Sequence, residues 1–183
     1  MSETRYITFT NWISKLHQQL GIPTDYASRY KLQPCEECQQ TVSIGCDIFE
    51  REQLMTPPAA AAWSGMHRTA ASNGIEIQVV SAYRSVEYQA AIIRRKLDAG
   101  QSIAEILTTS AAPGYSEHHT GRALDISTPG FEPLEEVFEN SSAFEWLGKR
   151  AGDYGFRMSF PKNNRHGVCY EPWHWCWSRD SSQ

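Results

Sequence analysis

Two short stretches of the sequence carry most of its chemically active side chains, residues 116–125 and residues 171–174. They contain two histidines and one aspartate that are suited to bind a metal, His118, Asp125 and His174. Two imidazoles and one carboxylate make a ligand set that leaves the fourth position of a tetrahedral Zn²⁺ ion open for water. The residue types therefore predict a catalytic rather than a purely structural zinc site.

A second carboxylate, Glu171, stands three residues before His174. A carboxylate near a metal-activated water can take its proton as the water attacks a carbonyl carbon. The aromatic residues around this pair indicate a strand, and side chains three residues apart point to opposite faces of a regular strand. Both groups can face one metal only if the chain bends or bulges at Pro172. With that bend, the two stretches predict a zinc hydrolase.

The spacing within the first stretch is compatible with a shared ion. His118 and Asp125 are seven residues apart, and Gly121 between them supplies backbone freedom. Asp125 lies in an apolar run, residues 123–126, where an unpaired charge is costly, so a metal or another cation is expected beside it. A surface histidine and a salt-bridged aspartate remain the alternative for these two residues taken alone.

Apolar spacing and capping signals predict the elements that position these residues. An amphipathic helix that ends near Gly21 lies within residues 1–46, and a second helix lies within residues 52–73. A strand over 75–82 leads to Arg84, which is thereby held at a strand-to-helix junction. Three further helices are expected behind N-terminal capping signals, at Ser85, at Ser102 with Glu105, and at Ser142 with Glu145.

Length and charge limit the classes of function. A chain of 183 residues can bury one core, and a net charge of −4 argues against a nucleic-acid partner, which needs clustered lysine and arginine. No apolar run approaches the roughly 20 residues of a membrane-spanning helix. Residues 1–6 lack the basic and apolar regions of a signal peptide, so the sequence favours a cytoplasmic location, with the periplasm or cell envelope as the alternative. A monomer is expected.

The cysteine pattern points to reduced thiols. Five cysteines are an odd number, which does not suit a closed disulfide framework. Two less favoured alternatives remain at this point. Cys35, Cys38 and Cys46 resemble part of a structural zinc site that would need a distant fourth ligand, and Cys169 could pair with Cys176.

The order of these motifs resembles one enzyme family. Ser116, His118, Gly121, Ala123 and Asp125, followed by Glu171, Trp173 and His174, look like the signature of the VanY-type D-alanyl-D-alanine carboxypeptidases. These are zinc peptidases related to lysostaphin and to the hedgehog amino-terminal domain. The stretches 81–85 and 154–161 fall where the family has similar segments. The resemblance covers roughly residues 47–178.

The resemblance implies a fold and a division of the chain. The expected fold is α+β, with a small antiparallel sheet that carries the zinc site and helices that flank it. The expected division is an N-terminal accessory segment, 1–46, and a zinc peptidase domain, 47–183. The expected strands of the sheet lie near 75–82, 122–128, 166–171 and 173–178.

The resemblance also implies roles for single residues. His118, Asp125 and His174 would bind Zn²⁺, with His118 rather than its neighbour His119 as the ligand because neighbours in an extended segment point apart. Glu171 would be the general base. The remaining roles would be stabilisation of the oxyanion by Arg84, binding of the substrate's terminal carboxylate or backbone by Ser116 and Gln89, and formation of the pocket wall by Trp173.

The implied reaction is removal of the terminal D-alanine of a peptidoglycan stem peptide. An L,D-carboxypeptidase or a peptidoglycan endopeptidase is the alternative, because the same zinc machinery serves all three. A non-catalytic binding module of the same fold is a further alternative. Glu171 and Arg84 argue against it, because a binding module has no use for a general base and an oxyanion partner.

Overall fold

A computed structural model of the protein describes residues 3–178, with side chains from Tyr6 onward. Six helices occur in this range, α1 (Glu3–Leu20), α2 (Tyr26–Arg29), α3 (Pro57–Ser72), α4 (Val86–Asp98), α5 (Ile103–Thr109) and α6 (Ser142–Arg150). Six strands occur in it, β1 (Val42–Cys46), β2 (Glu52–Met55), β3 (Gln78–Ser81), β4 (Ala123–Ser127), β5 (Phe156–Met158) and β6 (His174–Trp177). Short 3₁₀ segments lie at Glu117–Thr120, Glu136–Asn140 and Ala151–Tyr154.

The main sheet has four antiparallel strands in the order β3, β4, β6, β5. Every residue of β4 is buried, including the polar residues Asp125 and Ser127, whose side chains therefore need partners in the interior. β1 and β2 form a separate two-stranded antiparallel sheet. A small antiparallel sheet flanked by helices is the α+β fold that the sequence predicts, and the prediction is confirmed.

The predicted strand over 166–171 is wrong. Turns occupy much of the region before β6, with positive φ angles at Asn163 and Gly167, and such backbone does not continue a strand. The edge position next to β6 is filled instead by β5, which the sequence analysis did not predict. The sheet of β1 and β2 was also not predicted.

Two apolar clusters form the interior. One lies between the main sheet and the helices α3 and α6, and it includes Trp63, Leu124 and Trp175. The other joins α1 to α4 and α5 through side chains such as Ile13 and Ile93. The division at residue 46 stays a prediction, and β1 and β2, which pair, lie on its two sides.

Local capping signals were correct at two helices out of three. The Ser85 hydroxyl accepts a hydrogen bond from the Tyr88 N–H at the start of α4, and Ser102 with Glu105 forms the full capping box of α5. The predicted cap at Ser142 is wrong. The N-cap of α6 is Ser141, whose hydroxyl accepts a hydrogen bond from the Phe144 N–H. The cap therefore lies one residue before the predicted position.

The cysteine side chains and the helices bear on three possibilities, a disulfide, a second metal site and a membrane-spanning helix. All five cysteines are free, so Cys169 and Cys176 are not joined. Within residues 3–178, no cysteine belongs to a cluster of three side chains that could hold a metal ion. No helix in the described range is long and apolar enough to cross a membrane.

Gly114 lies where α1 packs against the segment that leads to the first motif. Its φ is +84°, and a β-carbon added there would lie 2.6 Å from Ile13 Cδ1. Gly114→Ala should therefore lower the free energy of unfolding by about 2–4 kcal/mol, because backbone strain and overpacking both act. Urea denaturation followed by fluorescence measures this loss.

Gly74→Ala is the matched control for that substitution. Gly74 has a similar φ of +74°, but no atom lies within 4 Å of its added β-carbon. The control should lose only the strain contribution, about 1–2 kcal/mol. Equal losses at the two glycines would contradict a packing role for the contact between Gly114 and Ile13.

Candidate metal centre

Three side chains that the sequence analysis selected come together on the main sheet. Asp125 of β4 and His174 of β6 are directly opposite in the antiparallel register, so the pairing of the two strands juxtaposes their side chains. His118 comes from the 3₁₀ segment just before β4. One potential ligand atom from each residue lies within 4.8 Å of the others, and all three residues are buried.

Hydrogen bonds fix the orientation of both imidazoles. His118 Nδ1 lies 2.5 Å from the Ala82 carbonyl oxygen, and His174 Nε2 lies 2.9 Å from Glu117 Oε2. If these nitrogens carry the protons, His118 Nε2 and His174 Nδ1 are the ones left for a metal. Engagement of the second nitrogen by a carbonyl or a carboxylate is the usual arrangement around metal-binding histidines.

The atoms that face the centre fit a cation. His118 Nε2 lies 3.2 Å from Asp125 Oδ2, and His174 Nδ1 lies 3.0 Å from Asp125 Oδ1. His118 Nε2 is buried and has no aligned hydrogen-bond partner within the described part of the chain, despite its closeness to the carboxylate. Two imidazole nitrogens and a carboxylate in one buried place are a donor set that zinc favours.

Burial and charge set the protonation of the two histidines. Burial and the charge of Arg84 lower the pKa of His118 to about 4, so its imidazole is neutral near pH 7, as a ligand must be. Burial alone would lower the pKa of His174, but hydrogen bonds to Asp125 and Glu117 outweigh it and raise that pKa to about 10. Metal binding by His174 therefore has to displace a proton.

His119 is a structural residue, as its buried hydrogen bonds show. Its Nδ1 lies 2.7 Å from the Arg84 carbonyl oxygen, and its Nε2 accepts from the Gly114 N–H at 3.1 Å. The extended backbone predicted for the two histidines is wrong, because both lie in a 3₁₀ segment. They point apart because successive side chains also diverge around a helical turn.

Glu171 faces the same centre from a turn that precedes β6. The His174 N–H donates to the Glu171 carbonyl oxygen at 3.1 Å across Pro172 and Trp173, so the bend predicted at Pro172 is present. A Glu171 carboxylate oxygen lies 3.9 Å from His174 Nδ1. Burial, opposed by His174 and reinforced by the charge of Asp125, raises the pKa of Glu171 to about 7.

Arg84 lies at the junction between β3 and α4, as predicted. Its Nη2 lies 3.8 Å from Asp125 Oδ2, and its Nη1 donates to Gln89 Oε1 at 3.2 Å. Its Nε is buried and has no hydrogen-bond partner within residues 3–178. Gln89 also donates from its amide nitrogen to the Ala111 carbonyl oxygen at 2.8 Å, so its side chain is held at both ends.

A cavity of about 560 Å³ opens onto the centre. Ser116 and Trp173 line it together with Arg84 and Glu171, and their roles toward a substrate stay predictions. The N-terminal segment supplies Tyr26, Tyr30 and Leu32 to the wall, a contribution that was not predicted from the sequence. No local signal marks these residues, because their place depends on how α2 packs.

Glu117 is a further residue that the sequence analysis missed. Besides His174 Nε2, its carboxylate accepts from the Ser159 hydroxyl at 2.6 Å. Burial would raise its pKa, but these hydrogen bonds and the charge of His174 prevail and lower it to about 2. A carboxylate adjacent to His118 in the motif was the available signal, but only the fold shows that it contacts the other histidine.

A family model described as VanY, D-alanyl-D-alanine carboxypeptidase, matches residues 52–180. The chain belongs to the VanY family. The match begins at the first residue of β2 and extends past β6, so it includes every residue of the centre described above.

Individual VanY-type relatives agree with this assignment. YodJ of Bacillus subtilis, assigned to the carboxypeptidases, is 31% identical over 169 residues, which are 90% of this chain and 59% of YodJ. The solved LdcB LD-carboxypeptidase is 33% identical at a TM-score of 0.69, over 77% of this chain and 69% of LdcB. A variant of the vancomycin-resistance D,D-pentapeptidase VanY, solved with Zn(II), shares the fold at 22% identity and a TM-score of 0.56, over 82% and 80% of the two chains.

Replacement of single ligands tests the proposed metal assignment. His118→Ala and His174→Ala should each reduce bound zinc to well below one ion per chain, because a three-residue set loses a third of its donors. His67→Ala is the control, since His67 is exposed on α3. Metal analysis of protein dialysed at a fixed free zinc concentration gives the stoichiometry. Full occupancy in either ligand variant would exclude that histidine as a ligand.

Removal of Glu117 tests its role as the outer partner of His174. Glu117→Ala should weaken zinc binding by about 10–100-fold, the usual cost of losing such a partner. A competition titration with a chromophoric chelator measures the affinity. Glu145→Ala, which removes an exposed carboxylate of α6 that pairs with Lys149, should leave the affinity unchanged. The same affinity in both variants would show that Glu117 does not orient the ligand.

Proposed function

We propose that the protein is a zinc-dependent carboxypeptidase that removes the terminal D-alanine from peptidoglycan stem peptides. The observation that carries this proposal is the buried set His118, Asp125 and His174, with the Glu171 carboxylate 3.9 Å from His174 Nδ1 and Arg84 beside Asp125. A metal-binding set, a carboxyl group of shifted pKa and a cation, all at one cavity, are the parts that peptide hydrolysis requires.

Zinc is the metal that the donor atoms support. Two imidazole nitrogens and one carboxylate oxygen leave a fourth position for water or substrate. When bound, zinc supplies polarisation of the scissile carbonyl and a water of lowered pKa. The protein's own groups have to position the peptide, move the proton and stabilise negative charge on the carbonyl oxygen.

Glu171 is the proposed proton acceptor. A carboxyl group with a pKa of about 7 in the absence of metal is partly ionised near neutral pH, and a divalent cation nearby favours the ionised form further. The group takes a proton from the attacking water and later gives it to the leaving amine. The turn at Pro172 keeps Glu171 beside the centre while leaving it outside the strand register.

Arg84 is the proposed donor to the carbonyl oxygen. Its buried Nε lacks a hydrogen-bond partner within residues 3–178, and Gln89 and Asp125 hold the guanidinium in place. A fixed cation of this kind stabilises charge that develops in the transition state without having to reorganise. Ser116 and Gln89 are the proposed contacts to the substrate's terminal carboxylate or backbone, and Trp173 is proposed to form part of the pocket wall.

An L,D-carboxypeptidase is the second candidate. The similarity to LdcB, at 33% identity and a TM-score of 0.69, favours it, because LdcB is an LD-carboxypeptidase. The zinc machinery is common to both specificities and to an endopeptidase. A non-catalytic binding module is disfavoured by Glu171 and Arg84. The monomeric state and the cytoplasmic location stay predictions.

The specificity is tested by mass spectrometry of the zinc-loaded protein with a muramyl pentapeptide and, separately, a muramyl tetrapeptide. Each reaction is run with and without a chelator. Loss of one alanine from the pentapeptide alone supports the D,D-carboxypeptidase, whereas loss from the tetrapeptide supports the L,D-carboxypeptidase. Both losses should stop on chelation. If zinc is bound and neither peptide is shortened, the carboxypeptidase proposal is wrong.

Glu171→Gln tests the proton acceptor in the same assay. The substitution should retain zinc and reduce kcat by about 10²–10⁴-fold, because an amide cannot accept the proton. Glu132→Gln, at an exposed position outside the cavity, is the control and should keep the wild-type rate. Substantial turnover by Glu171→Gln at full zinc occupancy would remove Glu171 from this role.

A further inference from the structure

The cavity has a second permanent cation, which the catalytic machinery does not use. Among the residues that line it, only Arg84 and Lys96 carry a permanent positive charge. Arg84 already contacts Asp125 and Gln89 at the metal centre. Lys96 is therefore the cation of the cavity that has no role at the metal centre.

Lys96 lies on the same helix that presents Gln89 to the cavity. The two residues are seven positions apart on α4, which is close to two helical turns, so they share a face. Ile92, which lies between them, also lines the cavity. The rise per residue places the two α-carbons roughly 10 Å apart along the helix axis. The cavity wall thus runs from the metal centre along α4 to Lys96.

Among the side chains that the structure describes, residues 6–178, none supplies a counter-ion for Lys96. Its Nζ donates to the Ser110 hydroxyl at 2.8 Å, and Lys96 forms no ion pair with a carboxylate among residues 3–178. The side chain is partly buried, and burial followed by the like charge of Arg84 lowers the pKa of Lys96. A partly desolvated ammonium group with unused donors favours an anionic partner.

The segment that holds Lys96 is tied to the metal centre. Ser110, its hydrogen-bond partner, adjoins Ala111, whose carbonyl oxygen accepts from the Gln89 amide at 2.8 Å. Gln89 in turn accepts from Arg84. One stretch of backbone therefore positions both cations relative to the same cavity, which suits the recognition of one extended ligand.

We infer that Lys96 and Ser110 form a subsite that binds a carboxylate of the peptide substrate. This inference rests on the proposed peptidase function. The carboxylate has two sources in such a peptide, the C-terminus of the residue to be removed and an acidic group elsewhere in the stem. Either source meets the ammonium of Lys96 and the hydroxyl of Ser110 through charge-assisted hydrogen bonds.

The test compares zinc-loaded wild-type protein with Lys96→Met and Lys96→Arg on three forms of the peptide that the wild type cleaves. One form is unmodified, one has a C-terminal amide, and one has its remaining carboxylates amidated. Lys96→Met should lower kcat/KM on the unmodified peptide by about 10–100-fold, mostly through KM, while Lys96→Arg retains part of the activity. Arg94→Met removes an exposed cation from the same helix and should match the wild type.

The amidated peptides identify the carboxylate. If Lys96 binds the C-terminus, the ratio of kcat/KM between wild type and Lys96→Met should fall to about 1 on the C-terminal amide alone. If Lys96 binds another carboxylate, this ratio should fall to about 1 on the peptide whose remaining carboxylates are amidated. The same wild-type-to-variant ratio on all three peptides, or no effect of Lys96→Met, would overturn the subsite.

A binding measurement separates this inference from the proposed function. Calorimetric titration of Glu171→Gln and of the double variant Glu171→Gln/Lys96→Met with the unmodified peptide requires no turnover. Binding that is about 10–100-fold weaker in the double variant supports the subsite. This holds even if the wild type does not cleave the peptide, because that failure contradicts only the hydrolytic function. Equal affinity overturns the subsite, and no binding by either protein overturns both.

Discussion

The burial of Asp125 on the central strand is the constraint around which the site is arranged. An ionised carboxylate in the interior is costly unless cations and hydrogen-bond donors surround it. Asp125 is 5% exposed, and its oxygens face His118, His174 and Arg84. These contacts keep the pKa of Asp125 well below its usual range, so the group stays charged despite burial. A stable negative charge in an apolar sheet is a place where a divalent cation binds favourably.

The groups of the site are positioned by different kinds of local structure. Asp125 and His174 are fixed by strand pairing, and His118 and Glu117 by a short 3₁₀ segment whose backbone also accepts from the Arg84 N–H. Glu171 stands on a turn outside the sheet. Metal ligation needs a constant geometry, whereas a proton acceptor has to serve both the attacking water and the leaving amine. Strand pairing thus fixes two of the three proposed ligands, the 3₁₀ segment fixes the third, and the proposed proton acceptor stands on a turn.

The N-terminal segment takes part in the site rather than lying apart from it. The Cys35 N–H donates to the Gly114 carbonyl oxygen and the Cys38 N–H to the His119 carbonyl oxygen, so the segment follows the backbone of the first motif. The Glu37 carboxylate accepts from the Val86 N–H at the start of α4. With Tyr26 and Tyr30 in the cavity wall, this part of the chain helps to shape the cavity.

The sequence by itself determined features that depend on residue type and short spacing. It indicated the α+β fold, the family, the caps at Ser85 and Ser102, and the need for a bend at Pro172, because each follows from contacts within a few residues or from a motif. It also selected His118, Asp125 and His174, which the fold brings together. Their assignment as ligands stays a prediction that rests on donor chemistry.

Only the tertiary structure decided which distant groups meet. The contact of Glu117 with His174 joins residues 57 positions apart, and the pairing of Asp125 with His174 joins residues 49 positions apart. The strand β5, rather than the expected strand over 166–171, pairs with β6 at the sheet edge, because the packing of distant elements determines which segment lies there. The surroundings of Lys96, whose Nζ donates to the Ser110 hydroxyl, likewise depend on how α4 packs against the segment after α5. Such contacts carry no local signal, since they arise from the arrangement of whole elements.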